Sequence, residues 1–319
     1  MTHFVSQAVA ACIAAAAVGA AGTAFADGAS VVVHDAVARV QVIPEARGDV
    51  SVTVTPGRKA LPSVRVWREG DRTMIDGGLA HRIHGCGSAS FGFGALFHGH
   101  RDGEPDRERG QANVAGLGRV GPEDMPLIVI RTPLDARVAA DGAVFGQVAG
   151  ARSLDLAVSG CGDWRTGDVA GPMGVHVSGS GDVTGGRVGA LRAALSGSGD
   201  LKLGRVDGAA DISTSGSADV RLGATGPLDI RVGGSSDIHV DEVQGPVRTQ
   251  ISGSGNVTID RGRSPDLRVA VAGSGDFRFH GEGGAVSASV AGSGDILIDH
   301  ATGPVSQSKA GSGDIHIGR

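Results

Sequence analysis

Val177-Ser178-Gly179-Ser180-Gly181-Asp182-Val183 is followed, one short interval on, by Leu195-Ser196-Gly197-Ser198-Gly199-Asp200-Leu201. This phrase or a close variant occurs nine times in the C-terminal half of the chain. Its acidic position, once an amide, falls at Asp163, Asp182, Asp200, Asp219, Asp237, Asn256, Asp276, Asp295 and Asp314, successive positions being 18 to 20 residues apart. A fixed period of this length marks a solenoid in which each repeat is one turn of a coil. The array occupies roughly residues 122–319.

Working outward from the phrase, alternation shows which side chains point in. An inward column follows the acid at Trp164, Val183, Leu201, Val220, Ile238, Val257, Phe277, Ile296 and Ile315, and a second lies two residues further at Leu203, Leu222, Val240, Ile259, Phe279, Ile298 and Ile317. A further alternating stretch precedes each phrase, as in Leu228, Ile230 and Val232. A shorter apolar point at Val169, Val188, Val206 and Val243 lies between. Period-2 patterns are strands, and three apolar segments per turn predict a roughly triangular coil of parallel strands about 4.8 Å apart. In the last repeat Gln307 and Lys309 stand where an earlier one has Val269 and Val271. Polar groups there predict a final edge protected from end-to-end pairing.

Upstream, residues 1–26 read as a secretory signal: an Ala-rich apolar run from Ala8 to Ala21, then Ala24-Phe25-Ala26 as the cleavage site. Residues 27–76 hold strand-like stretches, among them Val31-Val32-Val33 and Ser63-Val64-Arg65-Val66-Trp67, expected to cap the coil. Residues 77–121 break the pattern with Gly, His and charge and read as a flexible insertion. No segment beyond the signal has the 18 or so apolar residues that a membrane helix needs. A net charge of -5 with mixed signs gives no basic footprint for nucleic acid. With 55 Gly, no Tyr and 3% aromatic residues, the composition suits a tightly turning coil and argues against a sugar-stacking platform.

Several residues carry candidate chemistry. In the phrase, Gly would permit positive φ at a tight corner, and Asp or Ser would bond turn backbone. Carboxylates stacked once per turn repel, and Arg165, Lys202, Arg221, His239, Arg278 and His316, two residues after the acid, offer a balancing basic ladder. One carboxylate per turn is too few for calcium, which takes six to eight oxygens, so the ladder reads as structural. In the insertion His81, His84, Cys86, His98 and His100 have the donor chemistry of a zinc or copper site; otherwise they are solvated loop residues. Cys86 and Cys161 could pair in an oxidising compartment, stapling the insertion to the first repeat, or remain two thiols. No cofactor is expected, and the turns, except at the insertion, are too short to wall a catalytic cleft.

The Gly-Ser-Gly-Asp phrases, the early strands around Gly48-Asp49-Val50, and Pro126-Leu127-Ile128-Val129-Ile130 leading into the coil resemble the bacterial auto-transporter adhesin head GIN domain family. The resemblance covers roughly residues 30–319, apart from the insertion. It implies an all-β fold, a right-handed parallel β-helix with turns of about 19 residues. It also implies a place at the cell envelope, in the periplasm or on the outer surface, and carries over no catalytic residue. The reading is an exported, non-enzymatic adhesin or scaffold module that binds a protein or polysaccharide of the envelope. A carbohydrate-active β-helix enzyme and a metal-binding envelope protein are the alternatives.

Overall fold

The computed structural model describes residues 29–87 and 110–318. The signal segment, His98 and His100 lie outside the described residues. All regular structure among the described residues is β-strand, stacked in parallel as a solenoid of about 10 turns.

Two ladders build the coil. One stacks the strands that follow the phrase, with Trp164 opposite Val183, then Leu201, Val220, Ile238, Val257, Phe277, Ile296 and Ile315 in unbroken register. The other stacks the strands that precede it, from Ser153–Val158 through Leu228–Val232 to Val305–Gly311. The third apolar point makes only short pairings, such as Val169 with Val188 and Val188 with Val206. Alternation puts the branched side chains of all three lines into one continuous core. Each buried Val, Leu or Ile there contributes about 1.5–3 kcal/mol. Trp164 is fully buried because its neighbour one turn back is Gly146, where a Cβ would lie 2.2 Å from the indole.

Residues 27–76, expected to cap the coil, divide between a rung of the stack and two cap strands. Ser30–Glu45 is an interior rung. On one side it pairs in parallel with Arg72–Asp76 and Leu127–Pro133, and on the other with Asp135–Val148. Register slips between Val33 and Ala36, where Asp35 has a φ of 51°. The caps proper are two antiparallel strands, Ser51–Thr55 against Leu127–Pro133 and Arg65–Glu69 against Arg72–Asp76.

The flanks of the expected flexible insertion are folded. Ile83–Gly87, Gln111–Val114 and Gly118–Val120 form a three-stranded antiparallel sheet. It closes over a second small core of Leu79, Ala112, Val114, Val120 and Met125, with Val37 and Ala143 from the coil. Hydrophobic residues spaced among the charges of 110–125 provide that burial. Cys86 and Cys161 are joined as a disulfide, Cα atoms 5.7 Å apart, which ties this sheet to the coil.

Candidate functional site

The repeated phrase forms one corner of the coil, and its glycines are required by proximity more than by conformation. A Cβ on Gly179 would sit 1.9 Å from the Gly160 carbonyl oxygen, one on Gly197 1.9 Å from that of Gly179, and one on Gly253 2.0 Å from that of Gly234. Within the phrases, positive φ occurs only at Gly162, Gly292 and Gly311. Adjacent turns therefore touch backbone to backbone at this corner. The second glycine is as close to its neighbour, a Cβ on Gly275 falling 2.0 Å from the Gly255 carbonyl oxygen, yet two turns carry Ala218 and Ser236 at that position, fully buried.

From Asp182 to Asp295 the side chains of the ladder accept a hydrogen bond from the backbone N–H of the next turn. The N–H of Asp200 donates to Asp182 Oδ1 at 2.9 Å, that of Asp219 to Asp200 Oδ1 at 2.9 Å, and that of Asp295 to Asp276 Oδ1 at 3.0 Å. Asn256 does the same work with its amide oxygen, accepting from the N–H of Asp276 at 3.0 Å. The side chain thus satisfies a backbone donor that the Gly corner leaves outside the strand ladder. Burial pushes the carboxyl groups of Asp182, Asp200 and Asp219 above the ordinary range, and the charge of a neighbouring Asp adds to this, while the N–H bond from the next turn opposes it. Of the basic neighbours, Arg278 pairs with Asp276 at 2.8 Å, and Arg221 lowers both Asp200 and Asp219. His239 turns to Asp260 at 3.0 Å instead. In the last described turn, Lys309 donates to Asp314 Oδ1 at 2.7 Å and holds that carboxyl below its usual range.

Of the candidate metal residues, the described ones, His81, His84 and Cys86, form no group of three ligand-type atoms. Cys86 gives its sulfur to the disulfide and has no thiolate to offer while that bond stands. His81 precedes the first strand of the small sheet and His84 lies within it, both exposed. Two His/Asp groups that sequence reasoning missed do bring ligand-type atoms within 4.8 Å of one another: His239 with Asp241 and Asp260, and His34 with Asp35 and Asp76. The first is an exposed ion-pair cluster on the coil.

The second lies at the N-terminal cap and is part of a larger constellation. The slip in register at Asp35 turns its carboxylate toward His34, 3.5 Å from Nδ1. Asp76, almost fully buried, pairs with Arg65 and accepts from the N–H of Gly78 at 2.7 Å. Burial alone would raise its carboxyl; the Gly78 bond and the Arg65 guanidinium outweigh that and hold it below the ordinary value. His34 meets Trp67 edge to face with ring centres 5.9 Å apart. Among the described residues Trp67 and Val66 are the exposed large hydrophobic ones, at 41% and 44%. The signal for this group was present in the alternation of 63–67, which puts Ser63, Arg65 and Trp67 on one face and Val64 and Val66 on the other. What alternation could not supply was the partner strand.

Fold and site together define a parallel β-solenoid with a Gly/Asp corner, capped by antiparallel strands that carry a mixed aromatic and charged surface. The chain belongs to the family described as "Putative auto-transporter adhesin, head GIN domain", whose model matches residues 128–243 and 243–318. No curated protein and no solved structure matches it. Among the described residues, no helix is long and apolar enough to cross a membrane.

Proposed function

We propose that this chain is exported and serves at the cell envelope, in the periplasm or on the outer surface, as a non-enzymatic adhesion or scaffold module. The observation that carries the reading is the use made of the Asp ladder. Its carboxylates are spent on bonds between turns, so the regular surface is a rigid rod and not a row of free catalytic acids. Membership of an adhesin-like family supports the same conclusion. The signal-like residues 1–26 support export, and a disulfide suits an oxidising compartment. The partner is a protein or polysaccharide of the envelope or of a contacted surface.

The test is fractionation of cells producing the tagged chain, combined with an attachment assay on cells displaying it. Expected are a product shortened by about 26 residues in the envelope or medium, and attachment that falls when the gene is deleted. Uncleaved protein confined to the cytoplasm, with attachment unchanged, would overturn the reading.

A further inference from the structure

We infer that the N-terminal cap carries a binding site for a neutral oligosaccharide, seated on Trp67 and running along a shallow trough across the first turns. This deepens the adhesion reading and rests on it for its biological setting.

The trough follows from register. Trp67 lies opposite Met74, Met74 opposite Val32, Val32 opposite Ala139, and Ala139 opposite Ala157. These residues occupy one outward line, and all are partly exposed. Past the Trp the side chains shorten from Met74 through Val32 to Ala139 and Ala157, so the floor is apolar and lowest at the alanines. Two residues along the strands on one side runs a rail containing Arg137 and Asp155, paired at 3.5 Å. Two residues along on the other side stand His34 and Asp76, with Arg65 and Asp35. Rails four residues apart are about 13 Å from each other.

The chemistry selects the occupant. An exposed indole offers a flat face for the C–H-lined side of a sugar ring with equatorial substituents, and its N–H serves hydroxyls at the edge. Both rails present donors and acceptors, yet Asp76 is matched by Arg65 and Asp155 by Arg137, and Asp35 lies beside the imidazole of His34. Such rails have many hydrogen-bonding groups and little net charge, which suits neutral hydroxyls. A protein partner fits less well. One Trp and small side chains fall short of the apolar core of a stable interface, and Arg65, Arg68 and Glu69 line the Arg65–Glu69 edge strand, which counts against addition of a peptide strand. The aromatic-poor composition argued against sugar stacking; the structure answers that one of the two Trp is left outside.

The chain reports on the site itself. Trp164 is fully buried and Trp67 is not, so acrylamide-quenchable emission belongs to Trp67. The processed full chain would be titrated with cellohexaose and with chitohexaose, following quenching and, in parallel, heat. The expected result is saturable protection of Trp67 by at least one of them. Trp67→Ala is expected to weaken calorimetric binding at least tenfold, Trp67→Phe less, and Arg137→Ala severalfold, all with unchanged thermal midpoints. The inference is overturned if neither sugar protects Trp67 at millimolar concentration, if Trp67→Ala binds as tightly as the wild type, or if only a peptide or protein protects it. If no sugar protects Trp67 but displayed protein still mediates attachment, this site fails and the adhesion reading stands. If sugar protects Trp67 in a chain that is never exported, the reverse holds.

Discussion

At the scale of single residues, the corner phrase divides its work between a contact and a hydrogen bond, and each makes a prediction. The Cβ of Gly197→Ala would fall 1.9 Å from the Gly179 carbonyl oxygen, so two turns must part. We expect a loss of about 1–3 kcal/mol in denaturant unfolding, against no measurable loss for Gly48→Ala, where nothing lies within 4 Å. The acid can be tested by separating its charge from its oxygen. Asp200→Asn keeps an acceptor for the Asp219 N–H, as Asn256 does for that of Asp276, whereas Asp200→Ala leaves that donor unmatched and should cost about 1–3 kcal/mol. The charge has an opposite effect. Because burial raises Asp182, Asp200 and Asp219, the folded chain keeps their protons after the unfolded chain has released its own. Their contribution to stability is therefore greatest at low pH and declines as pH rises from the ordinary value of 3.8 through the raised ones. Asp200→Asn should match or exceed the wild-type melting temperature at pH 7, and the two should converge below about pH 4; a deficit at pH 7 would show that the charge itself stabilises the corner. The phrase was visible in the sequence because it repeats, but its physical cause was not. A run of glycines looks the same whether it supplies positive φ or close approach, and only the neighbouring turn decides.

Among the elements, what could be read was whatever depends on nearest neighbours. Inward columns follow from alternation and period, and they stack in the register that the phrase sets. The place of Ser30–Glu45 could not be read, because its partners begin at residues 72, 127 and 137, and nothing in a local pattern encodes pairing at such range. The small sheet 83–120 was hidden for a related reason: its strands are three to five residues long and its small core is completed by Val37 and Ala143 of the coil. That sheet leans on the Cys86–Cys161 bond, which closes 75 residues of chain. Replacing both cysteines with serine should cost about 2–4 kcal/mol. Hydrogen exchange should show the loss concentrated in 83–87 and 111–120, with the strands beyond residue 180 unchanged. Uniform loosening of the whole coil would mean that the bond governs the stack and not the docking of the sheet.

For the molecule as a whole, the stack is covered at its N-terminal end by the antiparallel cap strands, and the last described turn shows how the final rung is treated. Lys309 and Gln307 take positions opposite Val290 and Ala288, both are exposed, and Lys309 spends its charge on Asp314. Lys309→Val with Gln307→Ala would extend the apolar columns to the edge and remove the partner of Asp314. Sedimentation should then show concentration-dependent association that the wild-type chain lacks; a monomer at every concentration would show that the unpaired edge is harmless without its polar side chains. The two ends also differ in how they would bear load. Toward the C-terminus each strand has its successor as its only outer neighbour, so a pull there peels turns away one at a time, each releasing about 65 Å of extended chain. Ser30–Glu45 is gripped from both sides along its length and can leave only by sliding past two partners at once. A rod held at one end and reeled out from the other dissipates sudden tension in small steps, as a shock absorber does.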